Sequence, residues 1–165
     1  MRELGLAPTL FCGGGWYTDA DVAEACADLE YVDCTPRASR PPYLAPGEAW
    51  ASLGVPAGVR LPSGRLLHAI PTTHSLGDLA RAMLRWERPQ RMPRRVTSRY
   101  RRGTLPRVIH AYLHDTDLLD GRRRAAVPVL LGVLARRAQP TDLDALVALL
   151  GAEIAEITWD DVARL

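Results

Sequence analysis

Short apolar runs alternate with capped amphipathic segments along this chain, and that order constrains its fold more than any single motif does. Strands are predicted at 7–12, 31–34 and 65–70, where β-branched, aromatic and leucine side chains cluster. Between them, Thr18 and Ser75 each stand three residues before an aspartate, which is the spacing of a helix N-cap. Strands that alternate with helices are typical of a parallel sheet covered by helices, so the sequence predicts an α/β fold.

Two long segments lack this periodicity. The segment 36–64 is rich in proline, glycine and alanine and is expected to form a long surface loop. The segment 81–107 carries ten arginines. A chain of 165 residues, 47% of them hydrophobic, is long enough to bury a core, and a single domain over 1–165 is predicted.

The C-terminal third is predicted to contain one strand and several helices. The strand runs into His114 and is followed by a helix over 122–138, in which Pro128 must sit in the first turn or impose a kink. Thr-x-x-Asp sequences at Thr141 and Thr158 start two more amphipathic segments.

The apolar run from Val108 to Tyr112 delivers His114 and Asp115 at its carboxyl end. Catalytic groups of α/β proteins lie at this end of a strand, and an imidazole beside a carboxylate suits general acid or base chemistry near neutral pH. Alternatively, His114 only closes a core strand, and the acids, including Asp117, cap the helix that follows. The spacing leaves both interpretations open.

A second junction of strand and helix carries Thr72, Thr73, His74 and Ser75. Hydroxyls and an imidazole at a helix N-terminus favour an anion or an oxyanion. Equally, Ser75 serves only as a cap and His74 packs beside it.

Three segments follow one another in a recognisable order. The segment 6–17 joins a strand to a helix through three glycines, Trp16 and Tyr17; 108–115 is a strand that ends in His-Asp; and 139–146 reads Gln-Pro-Thr-Asp-Leu-Asp-Ala-Leu. Together they resemble the C-terminal half of the polysaccharide deacetylase (NodB-homology) family.

The resemblance implies half of a distorted barrel of strands and helices, in a hydrolase that removes acetyl groups from amino sugars with a bound divalent metal. In that family's scheme, His114 would be the general acid toward the leaving amine, with Asp115 supporting it. Trp16, Tyr17 and His74 would contact the amino-sugar or glycan substrate.

Two features of the family have no counterpart here: its catalytic Asp-Asp pair and its metal ligands, one aspartate and a His-x-x-x-His. On a strand, His110 and His114 would stand about 13 Å apart at a rise of ~3.3 Å per residue, too far to share a metal. No cofactor is therefore expected within this chain, and a zinc-like metal only where a missing N-terminal half supplies ligands. The sequence predicts an N-terminally incomplete or degenerate member, whose open sheet edges would promote self-association.

The arginine-rich segment 81–107 suggests a different class of function. All 21 basic residues are arginine, and Trp86 and Tyr100 are interleaved with those of this segment. A non-enzymatic module that binds nucleic acid or another polyanion is the alternative prediction. The same segment would suit an anionic carrier of the sugar, or it is a solvated loop.

Cysteine usage and hydropathy bear on the compartment. Cys12, Cys26 and Cys34 form no Cys-x-x-Cys pair and are expected to be reduced. The sequence carries no signal-peptide pattern and no apolar run of membrane-spanning length, so a cytoplasmic protein without a membrane span is predicted.

Overall fold

The computed structural model describes residues 8–77, 80, 108–136, 138–151 and 154–165, apart from the side chain of Asp144. The arginine-rich segment 81–107, and with it the predicted polyanion or carrier site, lies outside these residues. So does most of the helix predicted after Ser75, of which Leu76 and Gly77 form the beginning.

Two compact units are distinguished along the chain. Unit 1 comprises Met1–Thr72 and Thr141–Leu165, and unit 2 comprises Thr73–Pro140. The elements are named here in chain order. The strands of the described residues are β1 (Leu10–Phe11), β2 (Val32–Asp33), β3 (Trp50–Ala51), β4 (Ala57–Arg60), β5 (Leu66–Ala69), β6 (His74–Ser75), β7 (Ala111–Tyr112), β8 (Ala155–Thr158) and β9 (Ala163–Arg164). Their α-helices are α1 (Ala20–Asp28), α2 (Gly121–Ala135), α3 (Leu143–Leu150) and α4 (Trp159–Val162).

Unit 1 is built on a five-stranded sheet with the strand order β1, β2, β5, β4, β8. β1, β2 and β5 are parallel, as predicted, and the three strands lie where the apolar runs placed them. β4 is antiparallel to β5 and parallel to β8, so the other half of the sheet runs in the opposite direction. A separate antiparallel pair joins β3 to β9. The fold is therefore α/β with parallel strands and helices, on a mixed sheet.

Helix α1 covers this sheet through a buried face that includes Ala23 and Cys26. Its N-cap is Asp19, whose Oδ1 accepts a hydrogen bond from Val22 N at 2.9 Å, and not the predicted Thr18, which is fully buried instead. Asp19 is the N-cap because its carboxylate also interacts favourably with the positive end of the helix.

The segment 36–64, expected to be a loop, contains both β3 and β4. β4 forms a hairpin with β5 across a turn closed by the hydrogen bonds Leu61 N to Arg65 O (2.9 Å) and Gly64 N to Leu61 O (2.9 Å). Gly64 has φ +85°, which only glycine adopts readily. Sequence analysis missed β3 and β4 because β3 has two residues and β4 is almost wholly buried, so neither shows an alternation of polar and apolar side chains.

Unit 2 combines a short parallel pair, β6 and β7, with helix α2. A 3₁₀-helix at Asp115–Leu118 links β7 to α2, and Asp120 caps α2 by accepting from Arg122 N (2.8 Å) and Arg123 N (3.2 Å). Its core cluster joins the start of the helix after β6 to one face of α2, through Leu76, Ala80, Ala126, Val127, Leu130, Val133 and Leu134. The predicted strand through His110 and His114 is shorter, because both histidines lie outside β7.

The later helix predictions are confirmed with shifted ends. α2 stops at Ala135 and continues through Pro128, whereas 122–138 was expected. α3 is capped by Asp142, which accepts from Ala145 N at 2.6 Å, in place of Thr141. α4 begins at the predicted cap, where Asp161 Oδ2 accepts from Thr158 N at 2.9 Å.

Candidate functional site

The carboxyl ends of β1, β2 and β5 lie together at one edge of the unit 1 sheet. Ligands of open α/β sheets bind outside this edge. Hydrogen bonds connect the segments that follow the strands: Gly13 N donates to Thr35 Oγ1 at 2.7 Å, and Thr72 Oγ1 donates to the backbone oxygen of Cys34 at 2.8 Å. We call this set of residues, Cys12 to Tyr17 with Asp33 to Arg37 and Thr72, the unit 1 edge.

Gly13 is required at this edge for steric reasons. A Cβ placed on it would lie 2.5 Å from the backbone oxygen of Tyr17 and 3.2 Å from Thr35 Cγ2. The loop after β1 therefore folds back tightly, with Gly15 at φ +63° and Trp16 at φ +67°. Because Gly13 N already donates to Thr35, this amide does not contribute to a phosphate cradle.

Asp33 is the residue of the unit 1 edge that sequence analysis missed. It is 1% exposed, and its Oδ1 accepts from Thr35 N at 2.8 Å. Burial raises the pKa of this carboxyl above its ordinary value, although hydrogen bonds from the Thr35 side chain and backbone oppose the shift. Asp33 anchors the turn that follows β2 through its hydrogen bond with Thr35 N. The sequence signal that could have identified Asp33 is an aspartate inside the apolar run Tyr-Val-Asp-Cys.

Trp16 and Tyr17, the predicted sugar-contacting aromatics, differ in accessibility. Trp16 is 6% exposed, and the guanidinium carbon of Arg37 lies 4.7 Å from its ring centroid. Tyr17 is 38% exposed and donates its hydroxyl hydrogen to Asp19, which raises the pKa of the tyrosine and lowers that of the aspartate. Tyr17 is thus the ring that a ligand can reach, while Trp16 packs beneath an arginine.

His114 lies at the carboxyl end of β7 in unit 2. The residue is exposed, and its ring meets that of Tyr112 edge to face at a centroid distance of 5.7 Å. Asp115, its predicted support, is also exposed, and its Oδ1 accepts from Thr116 N at 2.8 Å. One oxygen of Asp115 is therefore engaged locally in a turn.

Asp117 holds the backbone of His114. Its Oδ2 accepts from His114 N at 3.2 Å, and its Oδ1 accepts from Arg123 Nη1 at 3.1 Å. A Cβ added to Gly77 would come within 2.0 to 2.6 Å of the three carboxylate atoms, so the carboxylate lies directly against that glycine. This buried carboxylate joins the segments after β6 and β7 to the first turn of α2, and we call Gly77, His114, Asp117 and Arg123 the unit 2 edge.

His74 is not brought to the unit 2 edge. The register of β6 and β7 pairs His74 with Ala111, three residues before His114, which is about 10 Å along a strand. Its Nδ1 lies 2.9 Å from Thr73 Oγ1, and that hydroxyl also donates to His110 O (3.1 Å) and accepts from His110 N (2.9 Å). The Thr73 hydroxyl is therefore engaged with the backbone of His110.

The predicted site residues are divided between the two units. Trp16 and Tyr17 belong to unit 1, whereas His74, His114 and Asp115 belong to unit 2. Among the residues that the structure describes, no group of three or more histidine, cysteine, aspartate or glutamate side chains is placed to hold a metal ion. Over the same residues, no helix has the length and apolar character needed to cross a bilayer.

Comparison with protein-family models, with curated proteins and with solved structures returned no match for this chain.

Proposed function

We propose that the protein is a deacetylase-like hydrolase that cleaves the amide bond of N-acetylated sugars, with His114 as the general acid. The proposal rests on one observation above the others. His114 is exposed at the carboxyl end of a parallel strand, and a buried, ion-paired carboxylate, Asp117, fixes its backbone.

The chemistry requires such a group because an amine leaves poorly unless its nitrogen is protonated as the C–N bond breaks. An imidazolium placed beside the nitrogen transfers that proton and accelerates the step by about 10²–10⁴-fold. Asp115, the residue beside His114, is retained in the supporting role that the resemblance implies. Asp117 is a positioning residue, because it contacts the backbone of His114.

Within unit 1 taken by itself, Tyr17 is the ring proposed to contact a sugar, and Trp16 supports the loop that carries it. Sugar rings stack on exposed aromatic faces, and Tyr17 offers one whereas Trp16 lies under Arg37. His74 is retained as a peripheral contact, three residues distant from His114 along the strand pair.

The resemblance further implies a divalent metal, which would supply an activated water when bound. The described residues do not fit such a metal, because they contain no cluster of three suitable ligands. The proposal for this chain is therefore confined to proton transfer and substrate contact. The metal ligands, and the other half of the proposed barrel, would come from a longer polypeptide.

The experiment is acetate release from an N-acetylglucosamine oligosaccharide by the protein in its native length, as wild type and as His114→Gln. We expect kcat to fall by about 100-fold or more in the variant, with an unchanged unfolding midpoint. His68→Gln, in β5 of unit 1, is the matched control and should retain activity. Equal rates for wild type and His114→Gln, or an inactive wild type, would refute the proposal.

A further inference from the structure

Cys12 and Cys34 occupy matching positions immediately after β1 and β2. The parallel register pairs Phe11 with Asp33, the residues just before the two cysteines. Cys34 N donates to Phe11 O at 2.8 Å, so the two segments remain side by side where β1 and β2 end. The sulfur of Cys12 lies 4.0 Å from the backbone oxygen of Cys34.

The next residues are also joined, because Gly13 N donates to Thr35 Oγ1 at 2.7 Å. Hydrogen bonds between the two segments therefore flank the cysteines on both sides. Neighbouring strands lie about 4.7–4.9 Å apart, and a disulfide bridges Cα atoms that are about 4.4–6.8 Å apart. Continuing the register of β1 and β2 by one residue sets Cys12 beside Cys34, on the same face of the two strands.

We propose that Cys12 and Cys34 form an oxidative modification site, at which a peroxide converts the two thiols to an intrachain disulfide. The Cys12 thiolate attacks one peroxide oxygen, the O–O bond breaks, and water leaves after protonation, which gives a sulfenic acid. The Cys34 thiolate then attacks that sulfur, the S–O bond breaks, and a second water leaves. Overall, two thiols lose two hydrogens and one peroxide is reduced to two waters.

The surroundings of the cysteines determine the order of these steps. Cys12 is exposed and meets the oxidant, whereas Cys34 is buried and acts as the resolving thiol. Although the residue is exposed, desolvation by the protein atoms around its thiol, and to a lesser extent the Asp33 carboxylate, raises the pKa of Cys12 to about 11, so the reaction is slow at neutral pH. Cys26 is buried on the α1 side of the sheet, in the core cluster, and provides an internal control.

The disulfide would link the start of the Gly13–Gly15 loop to the end of β2, and with it the loop that carries Tyr17. This inference does not depend on the proposed hydrolase activity. It concerns the chain's own thiols and has a readout by mass alone.

The test is oxidation of the folded protein with a stoichiometric amount of hydrogen peroxide at mildly alkaline pH, followed by alkylation and peptide mapping. The three free thiols should fall to one, the mass should decrease by two hydrogens, and the linked peptides should contain Cys12 and Cys34. The Cys26→Ser variant should form the same linkage and retain no free thiol. The Cys34→Ser variant should form no intrachain disulfide and should accumulate oxygen adducts on Cys12.

Three results would overturn the inference: three alkylated thiols in the oxidised wild type, an intrachain linkage that includes Cys26, or disulfides between chains only. The mapping uses the wild-type protein, so it remains decisive even where a serine variant folds poorly. The same oxidation in urea supplies the reference, because an unfolded chain should yield linkages that include Cys26.

Discussion

The unit 1 edge and the unit 2 edge each contain a buried carboxylate where parallel strands end, but the two are supported by different groups. Asp33 accepts from the backbone and side chain of Thr35, which are neutral donors, and its pKa is raised. Asp117 is ion-paired with Arg123 and also accepts from the backbone of His114. Burial is similar, at 1% and 5% exposure, so the partners make the difference.

The different partners give the two carboxylates different properties. A buried carboxylate that is ion-paired with an arginine fixes the elements that it joins, and Asp117 thereby holds the segment of His114. A buried carboxylate with only neutral donors is closer to taking up a proton, as Asp33 is. The carboxylate of the unit 2 edge therefore holds the segment of the proposed proton donor, whereas the unit 1 edge carries a carboxyl whose pKa is raised by burial.

The largest expected effect is at Gly77, where unit 2 has no room for a side chain. In Gly77→Ala, the new methyl would meet the Asp117 carboxylate and force it away from Arg123, at a cost of about 3 kcal/mol of unfolding free energy. Urea unfolding measures this loss. Gly132→Ala is the control: nothing lies within 4 Å of its Cβ inside α2, and the change should stabilise by about 0.5–1 kcal/mol. Equal stability of the two variants would remove Asp117 from its proposed role.

The corresponding change in unit 1 is Gly13→Ala. Its Cβ would lie 2.5 Å from the Tyr17 backbone oxygen, and we expect a loss of about 2 kcal/mol as the loop moves away from Thr35. Gly14→Ala adds a methyl that meets nothing within 4 Å and should stay within about 0.5 kcal/mol of the wild type. Thermal unfolding of both variants provides the comparison, and an unaffected Gly13→Ala protein would show that the loop is not fixed by this contact.

The pH dependence of the stability of Asp33→Asn tests the difference between the Asp33 and Asp117 carboxylates. A carboxyl whose pKa is higher in the folded chain than in the unfolded chain stabilises the fold at low pH, and this contribution is lost as pH rises through the folded value. Relative to the wild type, Asp33→Asn should therefore gain stability as pH rises above 3.8, the ordinary value. Asp117→Asn loses the ion pair with Arg123 and should be less stable than the wild type at neutral pH. The measurement is the unfolding midpoint of both variants across this pH range. The same pH dependence of stability in both variants would contradict the proposed difference between Asp33 and Asp117.

The smallest expected effect is at the C-terminal end of α1 (Ala20–Asp28). Tyr31 N donates to Cys26 O (2.9 Å) and Glu30 N to Ala27 O (3.2 Å), and these bonds place Glu30 at φ +57°. Glu30→Gly removes the steric cost of that conformation and should stabilise by about 0.5–1 kcal/mol, measured by urea unfolding. Glu30→Ala, which keeps a Cβ, is the control and should give no such gain.

The parts of the fold that sequence analysis predicted are those with local causes. Apolar runs located β1, β2 and β5, and an acid or hydroxyl near the helix start located α1, α3 and α4 within one or two residues. The exact caps were misassigned because Thr18 and Asp19, like Thr141 and Asp142, are adjacent residues that compete for one role. The partner of β5 in the hairpin, β4, was missed because it is almost wholly buried and does not alternate in polarity.

The candidate site was less predictable, because its contacts are not local. His114 was found from the strand that precedes it, but the importance of Asp117 depends on Gly77, forty residues earlier in the chain. Asp33 was missed because its Thr35 support is anchored by Gly13 from another strand. In both cases the sequence shows the acidic residue, but the residues that contact it are apparent only in the folded structure.

The most direct test of the central claim, that His114 donates a proton to the leaving amine, varies the leaving group. Acetate release by wild type and His114→Gln would be compared on an N-acetylated amino sugar and on an N-acetylated 4-nitroanilide, whose amine leaves with little need of protonation. The account predicts that the defect of His114→Gln shrinks by about tenfold or more on the nitroanilide, because general acid catalysis contributes only where the leaving group needs it. An equal defect on both substrates would contradict it, and would leave His114 as a residue that only binds substrate or closes the strand.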